Sequence, residues 1–162
     1  ERRRVQIYNQ PSLFQSYGPT PSNISERIIM MIKLKVGDKR SVKKIFTDSD
    51  VHEFSDLSLD KNPLHLDSSF AKETVFGQRI VHGMLVASLF SGLLGNDLAG
   101  KGGIYLGQSL NFTHPVFIDE EVTATVQVIK IREDKPIVTL RTFCVNSKGK
   151  IVIDGEAVVK VA

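Results

Sequence analysis

The chain has 162 residues, the size of one ordinary domain. Hydrophobic residues make up 41% of it and charged residues 24%, which is the composition of a globular protein. No apolar run approaches the roughly 18 residues that a membrane span requires. The single cysteine, Cys144, excludes an intrachain disulfide. Its place in a strand-like run predicts a buried packing role.

The net charge of +3 is unevenly distributed along the chain. Residues 1–40 hold eight Lys or Arg and three Asp or Glu, whereas the remaining residues hold 13 Lys or Arg and 15 Asp or Glu. A nearly neutral body argues against a dedicated nucleic-acid-binding protein. The basic segment 1–35 is typical either of a mitochondrial transit region or its remnant, or of a flexible basic tail. The first interpretation predicts a location in the mitochondrial matrix.

The first half of the chain predicts two strands and a helix after an irregular start. Three prolines and a glycine make residues 9–23 irregular. Ile28–Leu34 is predicted to be a first strand and Val42–Phe46 a second. Thr47 is a good N-cap, with an acidic residue three positions later. A short helix is therefore predicted over Ser49–Leu57.

The strongest helix signal covers Ile80–Gly95. Apolar side chains leave this segment almost no polar face, and Gly83–Asn96 contains no charged residue. A helix that is apolar all round must be buried on all sides. It is too short for a membrane span and is interrupted by Gly92. We therefore expect a core helix.

The C-terminal third has the alternation of antiparallel strands. The predicted strands are 104–112, 122–128, Ile137–Val145 and Ile151–Val161. An antiparallel sheet wrapped around one long buried helix is the hot-dog arrangement. The sequence therefore predicts a single α+β domain with the hot-dog fold.

The run DKNPLHLD at 60–67 places a carboxylate, Asp60, five residues before an imidazole, His65. Pro63 restricts its own backbone and that of Asn62, which makes the predicted loop 59–65 stiff. Such a loop can hold both groups on one target, as general acid–base catalysis requires. An ordinary turn is the alternative interpretation, because Asn-Pro turns are common.

A second motif, IVHGML at 80–85, opens the predicted core helix. Backbone N–H groups at a helix N-terminus point outward and carry partial positive charge. Gly83 has no side chain, so a substrate oxygen can approach its N–H closely. The motif thus predicts an oxyanion site. The alternative is that Gly83 simply lets the helix pack against a strand.

Together the two motifs resemble the hydratase type 2 motifs of the MaoC-like dehydratase family, over roughly residues 36–162. The resemblance implies (R)-specific enoyl-thioester hydratase and 3-hydroxyacyl-thioester dehydratase activity. It also implies that Asp60 and His65 are the catalytic pair, that Asn62 helps to hold the reacting water, and that Gly83 N–H binds the thioester carbonyl. The family often has glycine where this chain has Leu59, and also where it has Asp119 in the run PVFIDE.

The chemistry of dehydration agrees with these residue types. A base must take the C2 proton of the 3-hydroxyacyl thioester, and an acid must assist the C3 hydroxyl. His65 is the better base near neutral pH, and Asp60 would handle the hydroxyl or the water. The reverse assignment stays open at this point.

Two other functions remain as alternatives. A hot-dog thioesterase would hydrolyse the same substrates, but related thioesterases commonly carry an acidic residue in or beside the central helix, and Gly83–Asn96 has none. A non-catalytic acyl-binding subunit would not need Asp60 or His65. The thioester carrier is either acyl carrier protein, in mitochondrial fatty-acid synthesis, or coenzyme A.

Further candidates concern the substrate and the assembly. Acyl carrier protein and coenzyme A both present phosphate, which basic side chains bind. Arg79 and Lys101 are therefore predicted to lie at the mouth of the tunnel that holds the acyl chain. His82 is a substrate-binding candidate because it neighbours Gly83. No cofactor and no metal is expected, since the histidines lack metal-ligand spacing. A homodimer is predicted, because one hot-dog unit leaves a sheet edge uncovered.

Overall fold

The computed structural model describes residues 6–7, 34–99 and 102–161. Across these residues, one antiparallel sheet has the strand order β1-β2-β5-β6-β7-β3, with β4 also paired to β7. The strands are β1 Gln6–Ile7, β2 Lys39–Ile45, β3 Ile104–Gln108, β4 Asn111–Phe112, β5 Glu121–Ile131, β6 Ile137–Asn146 and β7 Ile151–Lys160. The predicted strand at 28–34 lies outside the described residues, apart from Leu34.

The helices of the described residues lie between β2 and β3. They are α1 Asp48–Ser58, α2 Pro63–Leu66, α3 Ser68–Lys72 and α4 Gly83–Leu93, and α4 continues into a π-helical segment, Leu94–Leu98. In the described part of the chain, no helix is both long enough and apolar enough to cross a membrane.

The core lies between α4 and the sheet. Helix α4 contacts β2, β5 and β6, and its residues Val86, Phe90 and Leu93 are buried. The hot-dog arrangement predicted from the sequence is therefore confirmed. Cys144 is also fully buried, and burial raises the pKa of its thiol to about 12. Its predicted packing role is confirmed.

Helix α4 differs from its prediction in two respects. It begins at Gly83 instead of Ile80, because Val81 N–H donates to the carbonyl of Val116 at 2.7 Å and holds the preceding segment extended. The prediction that the helix is buried on all sides is wrong for the single chain. The Met84 side chain is 58% exposed, and Ser88 is exposed on the same face one turn later.

The prediction of a loop over residues 59–65 is also wrong at its C-terminal end, because α2 begins at Pro63. Asn62 Oδ1 accepts the N–H of Leu64 at 3.0 Å, and Pro63 occupies the first helical position, where its missing N–H costs nothing. The N-cap predicted at Thr47 is confirmed, since its Oγ1 accepts the N–H of Asp50 at 3.2 Å. Asp60 therefore lies in the short connection between the end of α1 at Ser58 and the cap of α2 at Asn62.

Two residues other than glycine have a left-handed backbone in the described part of the chain. They are Leu59, with φ of 64°, and Asp119, with φ of 63°. Both stand where the family motifs have glycine. The left-handed conformation strains an L-residue, and Asp tolerates it better than Leu. The strain at Leu59 therefore lies directly before Asp60.

We predict that Leu59→Gly stabilises the protein. Relief of the left-handed strain outweighs the greater freedom of glycine in the unfolded chain, so the free energy of unfolding should rise by about 0.5–1 kcal/mol. Thermal unfolding should shift upward by roughly 2–4 °C per kcal/mol. The matched control is Leu57→Gly, which places glycine inside α1 at another exposed leucine and should destabilise. A lower melting temperature for Leu59→Gly would contradict the prediction.

Candidate active site

A cavity of about 460 Å³ lies where α2, the start of α4 and the segment between β4 and β5 meet. Most of its lining is apolar and comes from several elements. The polar side chains that line it are Asp60, His65, His82, Thr113 and His114. An apolar cavity with a few convergent polar groups is the usual form of a small-molecule site.

His65 is held in one tautomer by the backbone. It lies on the short helix α2 and is 9% exposed. Its Nδ1 is 2.8 Å from the carbonyl oxygen of Ile80. A carbonyl oxygen can only accept, so Nδ1 carries the proton and Nε2 carries the lone pair. His65 is therefore prepared to accept a proton.

Asp60 is fixed mainly through its backbone. Its carbonyl oxygen accepts from Ser55 Oγ at 2.7 Å and from His82 Nε2 at 3.3 Å. Its carboxylate Oδ1 accepts the N–H of Asn62 at 3.1 Å. The side chain is exposed to the cavity, and a carboxylate oxygen lies within 4.8 Å of a ring nitrogen of His65. The acid–base pair predicted from the sequence is thus brought together.

His82 lies behind His65. Their ring centroids are 3.8 Å apart with 28° between the planes, and the ring of Phe54 packs on His82 at 5.1 Å. His82 is 2% exposed, and its Nδ1 has no hydrogen-bond partner among the described residues. Burial, and then the proximity of His65, lower the pKa of His82. The ring is accordingly neutral near pH 7, with its proton on Nε2.

Gly83 opens α4 at the wall of the cavity. The first helical bond there runs from the N–H of Val86 to the carbonyl of His82 at 3.1 Å, and no described side chain caps this end. The preceding N–H groups are therefore available to an anionic oxygen. A Cβ on Gly83 would lie 2.7 Å from Cε1 of Phe112, so any side chain here would displace the ring or the start of α4.

The remaining predicted site residues that the structure describes do not line the cavity. Arg79 lies outside its lining, and its Nη2 forms an ion pair with Asp48 at 2.6 Å. Its role as a carrier contact stays a prediction. Lys101 lies outside the described residues. Asn62 is exposed, and its side-chain oxygen caps α2. Its role in holding water also stays a prediction.

Three features of the site escaped the sequence analysis. Ser55 is a buried serine on α1, and nothing in its neighbourhood distinguishes it from a surface serine. Phe112 meets Gly83 through a contact between residues 29 positions apart in the sequence. His114 lines the cavity and anchors its Nδ1 on the carbonyl of Ile151 at 2.9 Å. Only tertiary structure reveals these contacts.

Asp60, His65 and His82 could also be considered as metal ligands, since their ligand atoms lie within 4.8 Å of one another. A Zn²⁺ ion lies near the plane of each imidazole that binds it, at about 2.0–2.1 Å. The two stacked rings keep their lone pairs in nearly parallel planes. This geometry suits proton transfer and packing better than shared coordination of one ion.

Comparison with known proteins places the fold and the motifs in one family. The model of the MaoC-like domain matches residues 32–145. The (R)-specific enoyl-CoA hydratase of Aeromonas caviae is 58% identical over 127 residues, which are 78% of this chain and 95% of that protein. The mitochondrial 3-hydroxyacyl-[acyl-carrier-protein] dehydratase FERN of Solanum lycopersicum is 43% identical over 126 residues, 76% of this chain and 75% of that protein.

A solved structure extends the similarity to three dimensions. The (R)-hydratase from A. caviae involved in PHA biosynthesis superimposes with a TM-score of 0.78 at 56% identity, covering 80% of this chain and 98% of that one. The chain belongs to the MaoC-like dehydratase family and has its hot-dog fold. It is an enzyme of the hydro-lyase class.

Proposed function

We propose that the protein is a (3R)-3-hydroxyacyl-thioester dehydratase, which also catalyses the reverse hydration of trans-2-enoyl thioesters. The observation that carries the proposal is the meeting of Asp60, His65 and the N-terminus of α4 at one apolar cavity. These groups supply a proton acceptor, a partner for the hydroxyl and a site for the thioester oxygen.

Each group has one step in the proposed dehydration. His65 Nε2 takes the C2 proton, since its Nδ1–H is already committed to the carbonyl of Ile80. The enolate charge that develops on the thioester oxygen is stabilised by the N–H of Gly83. The C3–O bond then breaks as the departing oxygen takes that proton from His65 Nε2, while the Asp60 carboxylate accepts a hydrogen bond from the hydroxyl and holds it in place. The C2 proton and the C3 hydroxyl leave together as one water molecule.

The carrier that we propose is acyl carrier protein, in mitochondrial fatty-acid synthesis. The basic N-terminal segment 1–35 supports this choice, as does the similarity to the mitochondrial enzyme of S. lycopersicum. Coenzyme A is the second candidate, with the protein acting as an (R)-specific enoyl-CoA hydratase. The higher identity to the A. caviae enzyme favours it.

Purified protein should be assayed with trans-2-enoyl thioesters on both carriers. Hydration removes the ultraviolet absorbance of the enoyl thioester without releasing thiol, and chiral analysis should find the (3R) product. A lower KM for the acyl carrier protein substrate supports our choice of carrier, and a lower KM for the coenzyme A substrate supports the alternative. Release of thiol without hydration would identify a thioesterase instead.

We further propose a homodimer that pairs through β3. This strand ends the sheet, and no strand of the described residues pairs with its outer edge. All five of its residues are exposed, including Ile104, Tyr105 and Leu106. An exposed apolar edge strand is a template for pairing with another chain.

Light scattering at micromolar concentration should therefore give the mass of a dimer. Leu106→Lys, which puts a charge on this edge, is expected to shift the protein towards the monomer and to lower its activity. Val36→Lys is the control, because Val36 is 65% exposed in a turn away from β3. A wild-type monomer with full activity would refute the dimer.

A further inference from the structure

We infer that Ser55 and His82 are positioning residues, which hold Asp60 and His65 in their working geometry and take no part in proton transfer. The inference rests on the proposed function, because it assigns these residues to that catalytic pair. Both side chains are almost completely buried, Ser55 at 1% and His82 at 2% exposure. The side chains that react with the substrate in the proposed mechanism are those of Asp60 and His65.

The first argument is that two buried donors converge on one carbonyl. The Asp60 carbonyl oxygen accepts from Ser55 Oγ at 2.7 Å and from His82 Nε2 at 3.3 Å. Ser55 belongs to α1, whereas His82 immediately precedes α4. The backbone of Asp60 is therefore held between two separate elements, which fixes the position from which its carboxylate projects, while the N–H of Asn62 holds the carboxylate itself.

The second argument is the stacking of His82 on His65. The rings lie 3.8 Å apart, and the ring of Phe54 packs on His82 as well. The same His82 ring thus contacts His65 through its face and Asp60 through its Nε2–H. This bridge links the two catalytic residues to each other through a third side chain, in addition to the segment 60–65 that they share.

The third argument concerns a buried ring nitrogen of His82 that lacks a hydrogen bond. His82 Nδ1 is buried and has no hydrogen-bond partner among the described residues. An unpaired buried nitrogen destabilises the folded state. If His82 served only to fill space behind His65, an apolar ring would be the more stable choice. The donor on the opposite nitrogen is therefore the reason for a histidine here.

The variants separate the two contacts of His82. His82→Phe keeps a ring for stacking and loses the donor, His82→Gln keeps an Nε2 donor and loses the ring, and Ser55→Ala removes the other donor. We expect kcat to fall about tenfold in Ser55→Ala and in His82→Gln, and up to about 10²-fold in His82→Phe, because misplacement by an ångström can cost that much. KM should stay within about twofold of the wild type.

Two exposed residues of α1 supply matched controls, Ser49→Ala and His52→Gln, which should leave kcat unchanged. Each variant is also made in the Asp60→Asn background. The two donors act through Asp60, so their loss in Ser55→Ala and His82→Phe should lower the residual kcat of Asp60→Asn by far less than it lowers the wild-type kcat, and these two variants are the ones compared across backgrounds.

Equal losses in both backgrounds, or a loss confined to KM, would overturn the inference, and so would wild-type kcat in all three variants. If one variant fails to fold, by circular dichroism and melting temperature, the other two decide the result. A wild-type protein that hydrates no enoyl thioester would refute the proposed function instead, so the two failures are distinguishable.

Discussion

Replacing Asp60 by Asn, or His65 by Gln, is expected to lower kcat by about 10²-fold or more, the low end for a positioned acid or base. Each substitution keeps the size of the side chain and removes one role in the reaction, which is proton transfer for His65 and the hydrogen bond to the hydroxyl for Asp60. The two residues act on one substrate in one step, so the double variant should lose less than the product of the single losses.

The measurement combines the ultraviolet absorbance of the enoyl thioester with a thiol-release assay. Asp56→Asn and His52→Gln are the matched controls, since both residues are exposed on α1 and outside the cavity lining. Wild-type hydration rates in both Asp60→Asn and His65→Gln would show that the site has been misassigned.

Gly83→Ala is expected to lower kcat/KM by about 10²–10³-fold, the effect of losing one oxyanion donor. The new Cβ would lie 2.7 Å from Phe112 Cε1, so either the ring or the start of α4 must move. In both cases the N–H of Gly83 loses its access to the thioester oxygen or its alignment with it.

Phe112→Leu tests this explanation, because it removes the clashing ring from a residue that is 53% exposed. Combined with Gly83→Ala, it should restore part of kcat/KM, while alone it should change mainly KM. Full activity of Gly83→Ala would mean that this N–H does not serve the reaction. No recovery in the double variant would mean that the ring is not the cause of the loss.

The residues of the proposed site could be found from the sequence because each belongs to a local motif. Asp60 and His65 are five residues apart on a segment shaped by Asn62-Pro63, and Gly83 opens an apolar helix. Leu59 and Asp119, which stand where the motifs often have glycine, have positive φ in the structure.

The features that could not be predicted depend on distant contacts. Helix α4 begins three residues later than its pattern indicates, because Val81 is bonded to Val116, 35 positions along the chain. The hydrogen bond from Ser55 Oγ to the carbonyl of Asp60 can form because the chain turns back at Leu59. Met84 is exposed at the wall of the cavity, and hydrophobic periodicity carries no information on where a cavity will form.

The segment 80–83 concentrates much of the proposed chemistry in one short stretch of backbone. The carbonyl of Ile80 accepts from Nδ1 of His65, the ring of His82 bonds to the carbonyl of Asp60, and Gly83 opens α4 at the cavity wall. A substitution that shifts any of these three residues therefore reaches the proposed catalytic pair or the proposed oxyanion site directly. The cavity also has walls outside this segment, among them Val152 on β7 and Phe76. Acyl preference is therefore expected to change more readily through those walls than through segment 80–83.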